Sequence, residues 1–463
     1  MQRPFFSLPP PLLLIATLLS AQPPDWENPA VFERNQEPPH ATLMPFNTPE
    51  QALANRRKAS PNFFSLNGQW RFHWAESPGA APAAFFRGRF PEEGWTEIRV
   101  PANWQMEGFG YPIFRNIGLP FENRPPDVPE DFNPVGSYYR TFELPPGWTA
   151  DKQVFLHFEG VHSASYVWIN GREVGYNQGG MEPAEYDVTP FLRPGENNIA
   201  VQVLRFSDGA FLEDQDTWRL SGIYRDVYLM ATPRVHIRDF YITTDLDAAY
   251  RNATLRIKAI VRNYGANDSA GYALRIQLYD EDRRPIFSAP EVLSLDTLPA
   301  GNERPVAVSL QVDNPEKWSA EYPNLYTVTM ELLDGGGQPL ELLSNRVGFR
   351  KVEVKDQAIY INGVPVKFNG VNSHMMHPET GHAMDVETMR RDLVLMKRFN
   401  INCVRTSHYP PNVEYLELAD ELGLYIFDET GDEAHAYIHL SSDPAWREQY
   451  LDRVRKLVYR DRN

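Results

Sequence analysis

This chain of 463 residues is poor in several things, and each shortage excludes something. Cys403 is its only cysteine, so an intrachain disulfide is impossible, and its place in the apolar stretch 401–404 suits a small buried hydrophobe. Cationic residues are outnumbered, 45 against 61 acidic, giving a net charge of −16, and no run of Lys or Arg stands out. The electrostatic footprint of a nucleic-acid binder is therefore missing, and a neutral partner is expected. Beyond Ala21 no apolar run is long enough to span a bilayer, which argues against a membrane protein.

The N-terminus has Arg3, an apolar stretch from Leu12 to Leu19, and then the small residues Ser20 and Ala21. That order predicts a secretory signal over residues 1–21, hence export to a periplasmic or extracellular location. A buried N-terminal segment is the competing reading. The length suits about three domains. Aromatic residues make up 13% of the chain, a content that suits sugar-stacking surfaces but more often fills the cores of large β-rich domains, so composition alone decides nothing.

Residues 22–60 are polar and proline-rich without a sustained period, and read as an extended arm laid over the following domain. From 61 to 232 short alternating runs such as SLNGQWRFHW, QVFLHFEGVHSASYVWINGREVGY and NNIAVQVLRF are separated by Gly, Pro and Asn, as in a jelly-roll sandwich. Asn170–Gly171 lies between two such runs and marks a hairpin turn. Residues 233–347 repeat the alternation (ATLRIKAIVRN, YALRIQLYD, VAVSLQV, LYTVTMELLD), about seven strands that fit an immunoglobulin-like sandwich.

From 348 to 463 the period changes. Apolar runs rich in branched residues alternate with helical stretches at 386–400, 413–423 and 445–461, giving the first βα units of a parallel barrel. Loops after the strands of such a sheet open on one face. There Asn372, His374, His377, Arg405, His408, Asp428, Glu429, Glu433 and His435 are expected to converge, a set too polar for a core.

In their order and spacing, the segments DWENP, SLNGQWRF, PANWQM, DGAFLEDQDTWRLSGIYRDV, NPEKWSAEYPNLY, VGFRKVEV, FNGVNSH, VRTSHYP and YRDRN resemble glycoside hydrolase family 2, most closely its large β-galactosidases. The resemblance implies a mostly β multidomain fold: a jelly roll, an immunoglobulin-like domain and the N-terminal part of a (β/α)8 TIM barrel. It further implies that His374 and His408 hold a galactosyl ring, and that Asn116 and Asp216 reach the same sugar from the sandwich. By the same resemblance Glu433 and His435 match magnesium ligands and Asp216 a sodium ligand. On sequence alone, Asn116 and Asp216 read as turn residues and Glu433 and His435 as solvated loop polars.

The function so implied is retaining hydrolysis of terminal non-reducing β-D-galactose residues, with a β-galactoside oligosaccharide as partner and a homo-oligomer in the complete enzyme. Two carboxylates are needed for retention, about 5 to 5.5 Å apart. In the family the acid/base follows an RDRN-like segment and the nucleophile lies further on, so both are expected beyond Asn463 and a chain of these residues alone is expected to be inactive. A β-glucuronidase or β-mannosidase of the same family is the alternative enzyme, and a non-catalytic carbohydrate-binding protein the alternative of another class. Ser373, Met375 and Met376 depart from the family's Arg, Glu and His. Either the two methionines pack the barrel rim, or acceptor preference is altered.

Overall fold

The computed structural model describes residues 23–88, 93–435, 437 and 439–463. The expected signal segment 1–21 lies outside the described residues. Among these residues no helix is long and apolar enough to cross a membrane.

The first sandwich packs a seven-stranded antiparallel sheet against a four-stranded one. Strand Gly68–Ala75 shows why these runs are strands: Trp70 and Phe72 are buried while Gln69 and Arg71 are exposed, the period of two of a pleated ribbon with one dry face. Phe72 and Tyr138 meet with ring centroids 4.8 Å apart. Gly136 leaves room beneath them, since a Cβ there would come within 2.6 Å of Trp104. The hairpin expected at Asn170–Gly171 joins Ala164–Ile169 to Arg172–Gln178, with φ of 52° and 79° at the two turn residues.

Strand Val227–Pro233 ends the first sandwich and Val235–Leu246 begins the second, a three-stranded sheet facing a four-stranded one. Its strand Ala253–Asn263 again alternates buried and part-exposed residues.

The segment 22–60 departs from a featureless arm. It contains a helix, Pro49–Ala54, whose N-cap Thr48 side chain accepts from Gln51 N. Nor is it confined to the jelly roll: Leu43, Met44 and Phe46 join the second sandwich's core, Phe46 N donates to Leu342 O at 2.8 Å, and Ser344 Oγ donates to Ala52 O at 2.7 Å. Four apolar residues in LMPF, too few to form an element, are enough to fill the seam between two sandwiches.

The third region opens with a small antiparallel sheet over Val352–Lys355, Ala358–Ile361 and Val364–Pro365, which the period change had hidden. Three parallel strands follow, Gly370–Asn372, Cys403–Arg405 and Tyr425–Phe427, with Gly370, Cys403 and Tyr425 in register. Helices Val386–Arg398, Val413–Leu422 and Arg447–Asp461 follow them. Asp385 caps the first by accepting from Thr388 N at 2.8 Å. Gly423 ends the second at φ 74°, where a Cβ would lie 2.4 Å from Ala320 O, so both backbone conformation and space require glycine. Because the strands are level, Asn372, Arg405 and Phe427 end at one height and their loops share one face.

Candidate active site

On that face the Arg405 guanidinium clamps Glu429, with a hydrogen bond from Nη2 to Oε1 at 2.8 Å and an ion-pair contact of Nε with Oε2 at 2.6 Å. His408 Nδ1 lies 3.3 Å from the same Glu429 oxygen and 3.7 Å from Glu433 Oε2, and its ring meets that of His374 edge-on at 5.4 Å. Glu433 Oε1 is 3.0 Å from His435 Nε2, and His435 Nδ1 is 3.0 Å from the carbonyl of Asp214. Burial, reinforced by neighbouring His408, holds the His374 imidazole below its ordinary value, favouring a neutral ring that can both donate to and accept from a hydroxyl. Asp428, behind the cluster, is pushed up to about 8, first by burial and then by Asp461.

Asp214 belongs to the first sandwich, and its contact is part of a wider junction. Residues 212–215 lie alongside 431–433 as a short parallel bridge: Glu433 N donates to Leu212 O at 2.6 Å and Asp214 N to Glu433 O at 2.9 Å. Gln215 Nε2 donates to Gly431 O at 2.5 Å, and Arg219 pairs with Asp214 to stiffen the loop. Asp216 follows directly, near enough for its charge to act on His374.

The ribbon formed by Ile113–Arg115 and Thr217–Arg219 pairs Arg115 with Thr217, so Asn116 and Asp216 leave it at the same end. His377, by contrast, turns into a hairpin with Gly381 through mutual backbone hydrogen bonds of 2.8 and 2.9 Å, and its ring Nδ1 accepts from Glu379 N at 3.2 Å. Met375 is buried in the rim core with Met389, Tyr409 and Tyr415, as a packing residue would be.

The donor set suits a hard cation. A carbonyl can only accept, so His435 Nδ1 carries the proton and Nε2 faces Glu433 Oε1 with its lone pair unless the ring is doubly protonated. An imidazole donating to a backbone carbonyl while offering its other nitrogen is the usual support of a metal ligand. The second Glu433 oxygen is buried without a hydrogen-bond partner, and His408, Glu429 and Glu433 also group closely enough to share an ion. Glu429 in this grouping stands out only in three dimensions, because in the sequence it is one acid among several in DETGDE.

Sandwich, sandwich and parallel βα units, with a polar cluster at the strands' carboxyl ends, define a carbohydrate-active architecture. Family models agree: "Glycosyl hydrolases family 2, sugar binding domain" matches residues 63–233, "Glycosyl hydrolases family 2" residues 235–350, and "Glycosyl hydrolases family 2, TIM barrel domain" residues 352–463. The chain belongs to glycoside hydrolase family 2.

Among its relatives, a "Beta-galactosidase" of Priestia megaterium is 43% identical over 95% of this chain and 44% of that protein. One of Vibrio cholerae is 42% identical over 95% of this chain and 43% of that protein. The chain thus spans less than half the length of these relatives. Of solved structures, a Bacteroides uniformis β-glucuronidase aligns at TM-score 0.72 and 26% identity, covering 86% of this chain and 46% of that one. A Bifidobacterium dentium β-glucuronidase aligns at TM-score 0.73 and 23% identity over 86% of this chain and 66% of that one, a likeness of fold.

Proposed function

We propose that this chain carries the sugar-binding part of a β-galactosidase that hydrolyses terminal non-reducing β-D-galactose with retention. The relatives' names support the substrate, and the bridge that sets the loop at 212–216 against the barrel loop at 431–433 carries the reading, because it lets a sandwich loop and barrel loops grip one sugar. His374 and His408 hydrogen-bond ring hydroxyls, and Asn116 and Asp216 contact the sugar from the opposite wall. Glu433 and His435 hold magnesium, which would supply positive charge beside the developing negative charge of the leaving group. Sodium at Asp216 completes the ion set.

None of the three cluster carboxylates suits acid or nucleophile. Glu429 is neutralised by Arg405, Asp428 is buried behind the strand end, and Glu433 is directed at His435. The catalytic pair is accordingly assigned to the part of the enzyme that these residues lack, and the chain alone to binding. A β-glucuronidase, the activity named for several solved neighbours, is the second reading; the names of the relatives favour the galactoside. Export guided by residues 1–21, and homo-oligomer assembly of the complete enzyme, belong to the same proposal.

Titration of the chain with methyl β-D-galactopyranoside tests it. Binding that is lost in Asp216→Ala while the melting temperature is kept supports the reading. Binding untouched by Asp216→Ala and His408→Ala overturns it.

A further inference from the structure

Resting on the galactoside reading, we propose that Phe114 and Trp218 form an apolar wall for the sugar that follows the galactosyl unit. The two residues face each other directly across the ribbon of Ile113–Arg115 and Thr217–Arg219. Their rings lie 5.4 Å apart with planes at 51°. Phe114 is 50% and Trp218 42% exposed, whereas Thr217 and Arg219 on either side of Trp218 are buried, so the aromatic pair occupies an exposed face of the ribbon. Scattered single apolar residues on a surface need no explanation, but two exposed rings in contact and in cross-strand register form a patch.

Its position gives it an occupant. Asn116 and Asp216 are each two residues from a ring of the pair, about 7 Å along a strand. A ligand held at Asp216 would have its next residue within reach of Phe114 and Trp218. The ribbon is not a loose flap, because its far face is pinned: His382 Nε2 lies 3.4 Å from the Trp218 carbonyl, and Arg219 is paired with Asp214. The wall carries no charge, which fits the C–H face of a neutral pyranose, stacked on an aromatic ring as apolar area.

Three probes separate this wall from the galactosyl site in the 463-residue chain: methyl β-D-galactopyranoside, a β-galactosyl-glucose disaccharide and phenyl β-D-galactopyranoside. Trp218→Ala is expected to weaken the disaccharide on the order of three- to tenfold and leave the methyl glycoside unchanged, with Trp218→Phe recovering most of the loss. Asp216→Ala weakens all three if the galactosyl reading holds, so the two failures are distinguishable. Equal losses for methyl glycoside and disaccharide overturn the wall, as does an effect confined to the phenyl glycoside, which would mark a general hydrophobic patch. If none of the three binds the wild-type chain, wall and galactosyl site fall together. Should Trp218→Ala unfold, Phe114→Ala carries the same comparison.

Discussion

Arg453, on the last helix of the barrel region, donates Nε and Nη2 to one oxygen of Glu213, in the first sandwich, at 2.9 and 2.7 Å. Both side chains are withdrawn from solvent, and Glu213 also lies 3.5 Å from His162 and accepts from Gly180 N at 3.3 Å. Around them Glu182 is pushed up to about 8 and Asp432 to about 7, in each case first by burial, so the one guanidinium balances a crowd of acids. Since Glu213 also forms the bridge to Glu433, this pair ties the first sandwich to the barrel region on either side of that bridge.

Breaking that pair leaves an uncompensated buried charge, which costs about 3 to 5 kcal/mol. Arg453→Met should therefore lower the melting temperature far more than the exposed Arg455→Met, and Arg453→Met with Glu213→Gln should regain part of the loss. Thermal unfolding of the three variants checks it; equal effects of Arg453→Met and Arg455→Met would remove the pair's role.

His40 of the arm sits between Glu185 Oε1 at 3.0 Å and the Ala41 carbonyl at 2.8 Å. Burial disfavours its charge, but Glu185 and these hydrogen bonds outweigh burial and push the imidazole up to about 8. A group whose folded value is raised stabilises fully below its unfolded value near 6.5 and loses that contribution as pH climbs through 8. The contribution is about 2 kcal/mol. His40→Gln should be markedly less stable than wild type at pH 6 and nearly equal to it at pH 9, as read from denaturant midpoints. A gap that does not change with pH would show that His40 folds neutral.

Magnesium binding is measurable without catalysis. Calorimetric titration of the chain with Mg2+ should show a site that Glu433→Gln and His435→Ala each weaken. Heat identical in wild type and both variants would place the ion elsewhere.

Among the described residues the parallel sheet has three strands, with Tyr425–Phe427 at one edge and Phe427 exposed. A preparation of these 463 residues should not turn over a nitrophenyl β-galactoside and should tend to associate through that edge. Turnover at the rate of a full-length relative would mean that acid and nucleophile lie among Asp428, Glu429 and Glu433 after all.

What the sequence determined by itself is whatever depends on near neighbours along the chain. Alternation of Trp70 and Phe72 with Gln69 and Arg71, the Asn170–Gly171 turn, the Asp385 cap and Gly423 at a helix end are short-range effects, so their elements were legible, as was the clustering of polar residues after each parallel strand. Only the tertiary structure decided that Leu43, Met44 and Phe46 wedge between two sandwiches, that Glu213 meets Arg453 across 240 positions, and that Phe114 stands opposite Trp218. Family likeness picks out Asp216, whereas its neighbours along the chain do not, because a turn aspartate and a sugar-binding aspartate look alike in sequence. They differ in what is packed opposite them, and that is fixed by backbone hydrogen bonds between 212–215 and 431–433, which any side chains of suitable size could accompany.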